Sequence, residues 1–213
     1  SITMRLLLFS FLLMITGTIS AQKKKVYYQD ENGNNIGSQA YSKDKNDPAY
    51  FHLKFDLDSA RVFVKVTRKH SGTMNLDSLN LIKKDLEKVS NASIDPAHII
   101  VIDYYPGKDK CNSSGTTDTE LIQNEQNDYL KKLHRLAPVS QFFIYNEKEG
   151  LERFGGTERW KADAQHRIKN AFFKWHYPCG SVVVIHPDGR YISYYGEYST
   201  AQVLDYVKEL NKK

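Results

Sequence analysis

The sequence predicts an α/β chain whose C-terminal half is a mixed sheet flanked by helices, preceded by a smaller strand-rich α+β extension. Three observations predict it. From His98 onward apolar segments of strand length alternate with segments of helical period, which implies parallel pairing between successive strands. A Pro-Asp-Gly turn at 187–189 joins two β-rich runs and adds an antiparallel hairpin. Between residues 51 and 66 apolar and polar residues alternate with period two, the pattern of half-buried strands.

The first residues after Met4 are Arg5 and then "LLLFSFLLMITGTISAQ", a basic start, an apolar run and a small-residue site ending at Ala21. This reads as a secretory signal peptide over residues 1–21, cleaved before Gln22. The apolar run is well short of the roughly 20 residues that span a bilayer, so the mature chain is expected not to span a membrane and to be exported, either periplasmic or secreted. Without Arg5 the chain has 29 basic against 25 acidic residues, and part of that excess sits in the terminal Lys runs. Nucleic-acid binding needs basic residues clustered on one face, so it is not expected.

Within the extension, "KVYYQDENGNNIG" reads as a hairpin around Asn-Gly. The alternation of Phe51, Leu53, Phe55 and Leu57, then of Val62, Val64 and Val66, predicts two more strands broken at Asp58-Ser59. The period then changes. Leu76, Leu79, Ile82, Leu86 and Val89 lie on one helical face behind Asn75 as cap. The polar stretch at 90–98 is the expected boundary, giving an extension over 22–94 and a second domain over 95–213.

In that second domain "HIIVIDYY" reads as a buried strand and 116–136 as a helix, with Thr117 and Glu120 spaced as a capping box and Leu130, Leu133 and Leu136 on its apolar stripe. "PVSQFFIYN" is the next strand. Thr157 is expected to cap a helix in which Trp160, Ala164, Ile168 and Phe172 recur every four residues. Two strands around the Pro-Asp-Gly turn follow. Ser199 caps a last helix with Val203, Leu204, Val207 and Leu210 on its buried face.

The segment "YPCGSVVVIHPDGRYISYYGEYSTAQVLDYVKEL" resembles the last part of thioredoxin-like proteins, with a loop, a strand, an Asp-Gly hairpin, a strand ending in Gly and a capped helix. "HIIVIDYYPGKDKC" resembles the first core strand of that family, an aspartate followed by aromatics and then the loop that carries Cys-x-x-Cys in active members. The resemblance covers about residues 95–213. It also breaks at the chemistry: the residues three positions from Cys111 are Lys108 and Ser114, so Cys-x-x-Cys exchange is excluded. The family's cis-proline position falls at Gly180, with Pro178 an alternative if the loop is longer. The short signal followed by a Lys-, Tyr- and Asn-rich chain also resembles exported proteins of Bacteroidota.

The resemblance implies that the loops carrying Cys111 and Cys179 meet at one end of the sheet. A structural disulfide, a reversible redox pair and two separate thiols all remain open at this point. The leading expectation is a redox-inactive thioredoxin-like binding or accessory protein braced by a Cys111–Cys179 disulfide. The alternatives are a thiol-disulfide oxidoreductase or peroxidase-like enzyme using both cysteines, and a toxin-neutralising or envelope-complex partner. Binding to a protein or peptide is expected through Tyr105, Lys108, Lys110, Trp175, His176, Tyr177 and Tyr195, because aromatic and basic residues gather in those loops. Lys108 and Lys110 would lower the pKa of a free Cys111 thiol. No His or Cys spacing suits a metal, no phosphate loop is present, and no cofactor is expected. Asn91-Ala-Ser and Asn112-Ser-Ser match the glycosylation acceptor pattern.

Overall fold

The computed structural model describes residues 23–114 and 118–212. The expected signal segment, and Thr117 of the expected capping box, lie outside them. The chain divides into two compact units, one ending at Val66 and one starting at Thr67.

In the first unit β1 (Lys25–Asp30), β2 (Tyr50–Asp56) and β3 (Ala60–Thr67) form a sheet in the order β1-β3-β2. β2 and β3 are the two strands expected from the period-two run, closed by a turn in which Leu57 N donates to Ala60 O. The expected hairpin at Asn-Gly reduces to a single bridge between Gln29 and Asn35. Here the Asp30 carboxylate accepts from Asn32 N and from both the backbone and side chain of Asn34, which winds the chain into a loop. The return segment becomes α1 (Gly37–Lys43), and β1 pairs in parallel with β3 instead. Tyr41 of α1 is buried against the rings of Tyr28, His52 and Phe63, and His52 Nε2 bonds Tyr41 O at 2.9 Å. That aromatic cluster is the small core of this unit.

The second unit is built on a six-stranded sheet, β4 (Lys69–Thr73), β9 (Arg190–Tyr195), β8 (Ser181–Ile185), β5 (Ile99–Tyr105), β6 (Val139–Tyr145) and β7 (Lys161–Ala162), in that order. β5–β6 and β6–β7 are parallel, while β4–β9, β9–β8 and β8–β5 are antiparallel. β5 is buried along its whole length. A central strand covered on both faces reads as a continuous apolar run, which is why "IIVI" carried no alternation.

On one face, Ile99, Val101, Val139, Val182 and Val184 pack with Tyr129 and Leu133 of α3 (Thr119–Leu136) and with Val203, Val207 and Leu210 of α6 (Thr200–Asn211). The intervening positions Ile100, Ile102 and Tyr104 point to the other face, where Tyr104 stacks on Phe173 at 4.5 Å. Leu79, Ile82 and Leu86 of α2 (Leu76–Ser90) and Ile168 and Phe172 of α5 (Arg167–Phe172) are buried with them, and Arg167 pairs with Asp85 at 2.6 Å. The caps explain where these helices start. Asn75 accepts from Ser78 N, Asp118 from Leu121 N, and Ser199 and Gln202 form a reciprocal capping box.

Two elements depart from the expected pattern. β4, "KHSGT", has no apolar alternation, yet it pairs along its length with β9. It pairs with β9 within the second unit, to which α2 also belongs. The four-residue periodicity from Trp160 to Phe172 does not form one helix. A 3₁₀ turn (Glu152–Phe154), a single turn α4 (Gly156–Arg159), β7 and α5 take its place. Trp160 adopts extended backbone and donates its indole N–H to Phe154 O at 3.1 Å. Asp163 then restarts the helix, its carboxylate accepting from Lys169 N at 2.8 Å.

The Pro-Asp-Gly turn is tied to the chain preceding α2. Met74 N donates to Gly189 O, and a Cβ on Gly189 would lie 2.5 Å from Met74 O at a φ of +93°. Gly189→Ala is therefore expected to lower unfolding stability by about 2 kcal/mol, measured by urea denaturation. An unchanged urea midpoint would show that the turn relaxes freely.

Candidate functional site

β5 and β8 run antiparallel with Tyr104 opposite Ser181, so the loop leaving β5 and the loop entering β8 emerge side by side. Their cysteines meet. Cys111 and Cys179 are joined by a disulfide, with Cα atoms 5.0 Å apart across a sequence separation of 68.

The loop after β5 is held by a reciprocal pair that the sequence reading missed. Asp109 N donates to Asn112 Oδ1 at 2.9 Å and Asn112 N donates to Asp109 Oδ1 at 2.8 Å. The signal was present as an Asp-x-x-Asn spacing beside a Pro-Gly turn. Asn112 Nδ2 also donates to Gly107 O and Cys179 O. Asn112 is buried and its amide occupied, so the folded chain does not present this Asn-Ser-Ser at its surface. The second oxygen of Asp109 reaches the other loop, accepting from Cys179 N at 3.0 Å and lying 3.0 Å from His176 Nε2. Cys179 sits at a φ of +72°, a backbone region costly for a residue with a side chain. The disulfide and the bonds from Asp109 and Asn112 hold it there.

The expected binding residues divide into two groups. Tyr105 and Tyr177 are buried: the Tyr105 hydroxyl donates to Glu149 O at 2.8 Å, and Tyr177 stacks on the half-buried Tyr195 at 4.3 Å. Burial also pushes the Tyr105 phenol up to about 12. These two set the shape of the loops from inside. Lys108, Lys110 and His176 are exposed and Trp175 is half-buried, so they form the accessible part of this end. Lys108 pairs with Glu149 at 3.2 Å. With Cys111 in a disulfide there is no thiol for either lysine to activate. The Glu197 carboxylate lies within 4.8 Å of both sulfurs, but joined sulfurs offer no thiolate to a metal, so this trio is not a metal centre.

Behind the loops lies a carboxylate on the apolar α3–α6 side of the sheet. Asp103 occupies the β5 position between Val101 and Tyr105 on that face and is 2% exposed. Its oxygens accept from Gln141 Nε2 at 2.6 Å, from the Tyr129 hydroxyl at 3.1 Å and from the Tyr198 hydroxyl. Burial raises its pKa to about 6, against the lowering effect of the bonds from Tyr198, Gln141 and Tyr129. Burial and then the Asp103 charge hold both phenols well above the usual range. The sequence showed an aspartate inside a run otherwise fit for burial, which is the signal by which it can be found.

No protein-family model and no curated protein matches the chain.

Because the folded chain holds the Asp103 proton more tightly than the unfolded one, the resulting stabilisation is complete below about pH 3.8 and lost as pH rises through about 6. A shift of this size corresponds to about 3 kcal/mol. The unfolding free energy of wild type is expected to fall by about that amount relative to Asp103→Asn between pH 3 and pH 8. Parallel pH profiles for the two proteins would refute the assignment.

Proposed function

We propose that this chain is an exported thioredoxin-like binding or accessory protein that is redox-inactive and presents the disulfide-braced end of its sheet to a protein or peptide partner. The observation that carries the reading is the Cys111–Cys179 disulfide itself. It ties both cysteines of the chain into one bridge between two loops, so neither stands as a free nucleophilic thiol. The run from β5 to α6 supports the thioredoxin-like part of the proposal, since it keeps the order strand, helix, strand, helical segment, hairpin and capped helix. A disulfide is at home in an oxidising compartment, which supports export alongside the signal-like start of the sequence. Among the described residues no helix is long and apolar enough to cross a membrane.

Lys108, Lys110, Trp175 and His176 supply the contact. A half-buried tryptophan flanked by cations suits a surface that buries an aromatic anchor within a polar rim. Asp109 orders that surface by holding His176 and the Cys179 backbone at once.

A second reading rests on one observation, the exposure of Cys111 within the disulfide. An exposed sulfur is open to attack by an external thiol, and Cys111 and Cys179 would then form an exchanging pair.

Two measurements separate the readings. Alkylation without reductant is expected to leave the intact mass two daltons below the dithiol form with no adduct, and insulin reduction with a thiol regenerant is expected to stay at background. Turnover that disappears in Cys111→Ser would overturn the binding reading. The brace also carries a stability expectation: removing both sulfurs as Cys111→Ser with Cys179→Ser should cost about 4 kcal/mol, given the 68-residue separation it closes. Chemical denaturation measures it, and a loss under about 1 kcal/mol would show that the loops are held by their hydrogen bonds alone.

A further inference from the structure

Next to the braced loops the second unit has a half-open cavity of about 270 Å³, with Cys179 and Gly180 in its lining. That is room for a compact organic molecule. Its walls are rings, those of Tyr105, Tyr129, Phe143, Phe154, Trp160 and Tyr198. Three of them, Tyr105, Phe154 and Trp160, meet edge to face or tilted at centroid distances of 5.9 to 6.5 Å, which fixes the wall's shape.

The charge in the lining has one sign. Asp103 and Glu125 are there, and no lysine, arginine or histidine stands among the described residues that line the cavity. Two of its rings already take cations elsewhere. Arg153 lies over Phe154 at 5.1 Å and Arg159 over Phe143 at 5.5 Å, with Arg159 also bonded to Gln126 and Asn127. Aromatic faces with carboxylates behind them attract a cation twice, through the ring quadrupoles and through charge. An anion would be repelled by both carboxylates. A neutral molecule would gain only the apolar contact.

We propose that this cavity binds a small primary ammonium with an apolar body, the body held among the rings and the ammonium facing Asp103 and Glu125. The site does not depend on a protein partner. The raised pKa of Asp103 is consistent with it, since a buried carboxylate with no cation beside it is costly to ionise and a bound ammonium would offset that cost. The same chemistry comes from two sources, a free amine or the lysine side chain of a peptide.

The test is a titration of the full chain followed by the indole N–H resonances of its two tryptophans. Trp160 lines the cavity and Trp175 does not, so one resonance reports and the other is an internal reference. Phenethylamine is expected to shift the Trp160 resonance saturably and to bind at least about tenfold more tightly than 2-phenylethanol, its neutral counterpart. N-acetyl-lysine amide against N-acetyl-norleucine amide distinguishes the peptide source: a lysine preference assigns the site to side chains, and a response to phenethylamine alone assigns it to free amines. Glu125 is exposed, so Glu125→Gln should keep the fold while reducing the preference for amine over alcohol severalfold, and Asp103→Asn should reduce it further. Equal binding of amine and alcohol, an amine preference unchanged in both variants, or no saturable change at Trp160 would each overturn the proposal.

Discussion

The antiparallel pairing of β5 with β8 is the constraint on which the site depends. It sets the end of the first core strand beside the start of the hairpin, and so places in contact two loops that lie far apart in sequence. Once they are adjacent, Asp109 can bond across to Cys179 N and the sulfurs can join. Each of these contacts needs the pairing to exist first. The sheet supplies the position and the polar contacts supply the detail.

Asp103 shows the opposite use of the sheet. A strand buried on both faces has no polar position to offer, and this residue falls on the face packed by α3 and α6. Three donors from three separate segments converge on it, Gln141 of β6, Tyr129 of α3 and Tyr198 after β9. Those bonds reduce the cost of burial without cancelling it, since the proton is still held more tightly than in water. A packed core that keeps a carboxylate beside an aromatic cavity is organised around charge as well as around apolar contact.

Where local chemistry decided the structure, the sequence showed it. The helix at 76–90 starts at Asn75 because the cap and the apolar stripe agree, and the Ser199 cap and the Pro-Asp-Gly hairpin follow the same logic. Where two local signals disagreed, packing chose between them. The four-residue period through Trp160 describes a helix, but the indole is better placed against Phe143 and Tyr105 with the backbone extended and β7 paired to β6. β4 is the converse case. Its pairing with β9 is made by backbone groups, which leave no mark on residue type.

The sequence by itself determined the α/β class, most of the strands, the Asn75 and Ser199 caps, the absence of a Cys-x-x-Cys pair and the position of Cys111 after a buried strand. These follow from periodicity, capping chemistry and counting, all of which act over a few residues. Only the tertiary structure decided that Cys111 reaches Cys179, that Tyr105 and Tyr177 face inward, that Asp103 collects two phenols and an amide, and that the rings border a half-open cavity lined by acids. Those outcomes depend on strand order and register across the sheet, and contacts between residues tens of positions apart carry no local signature.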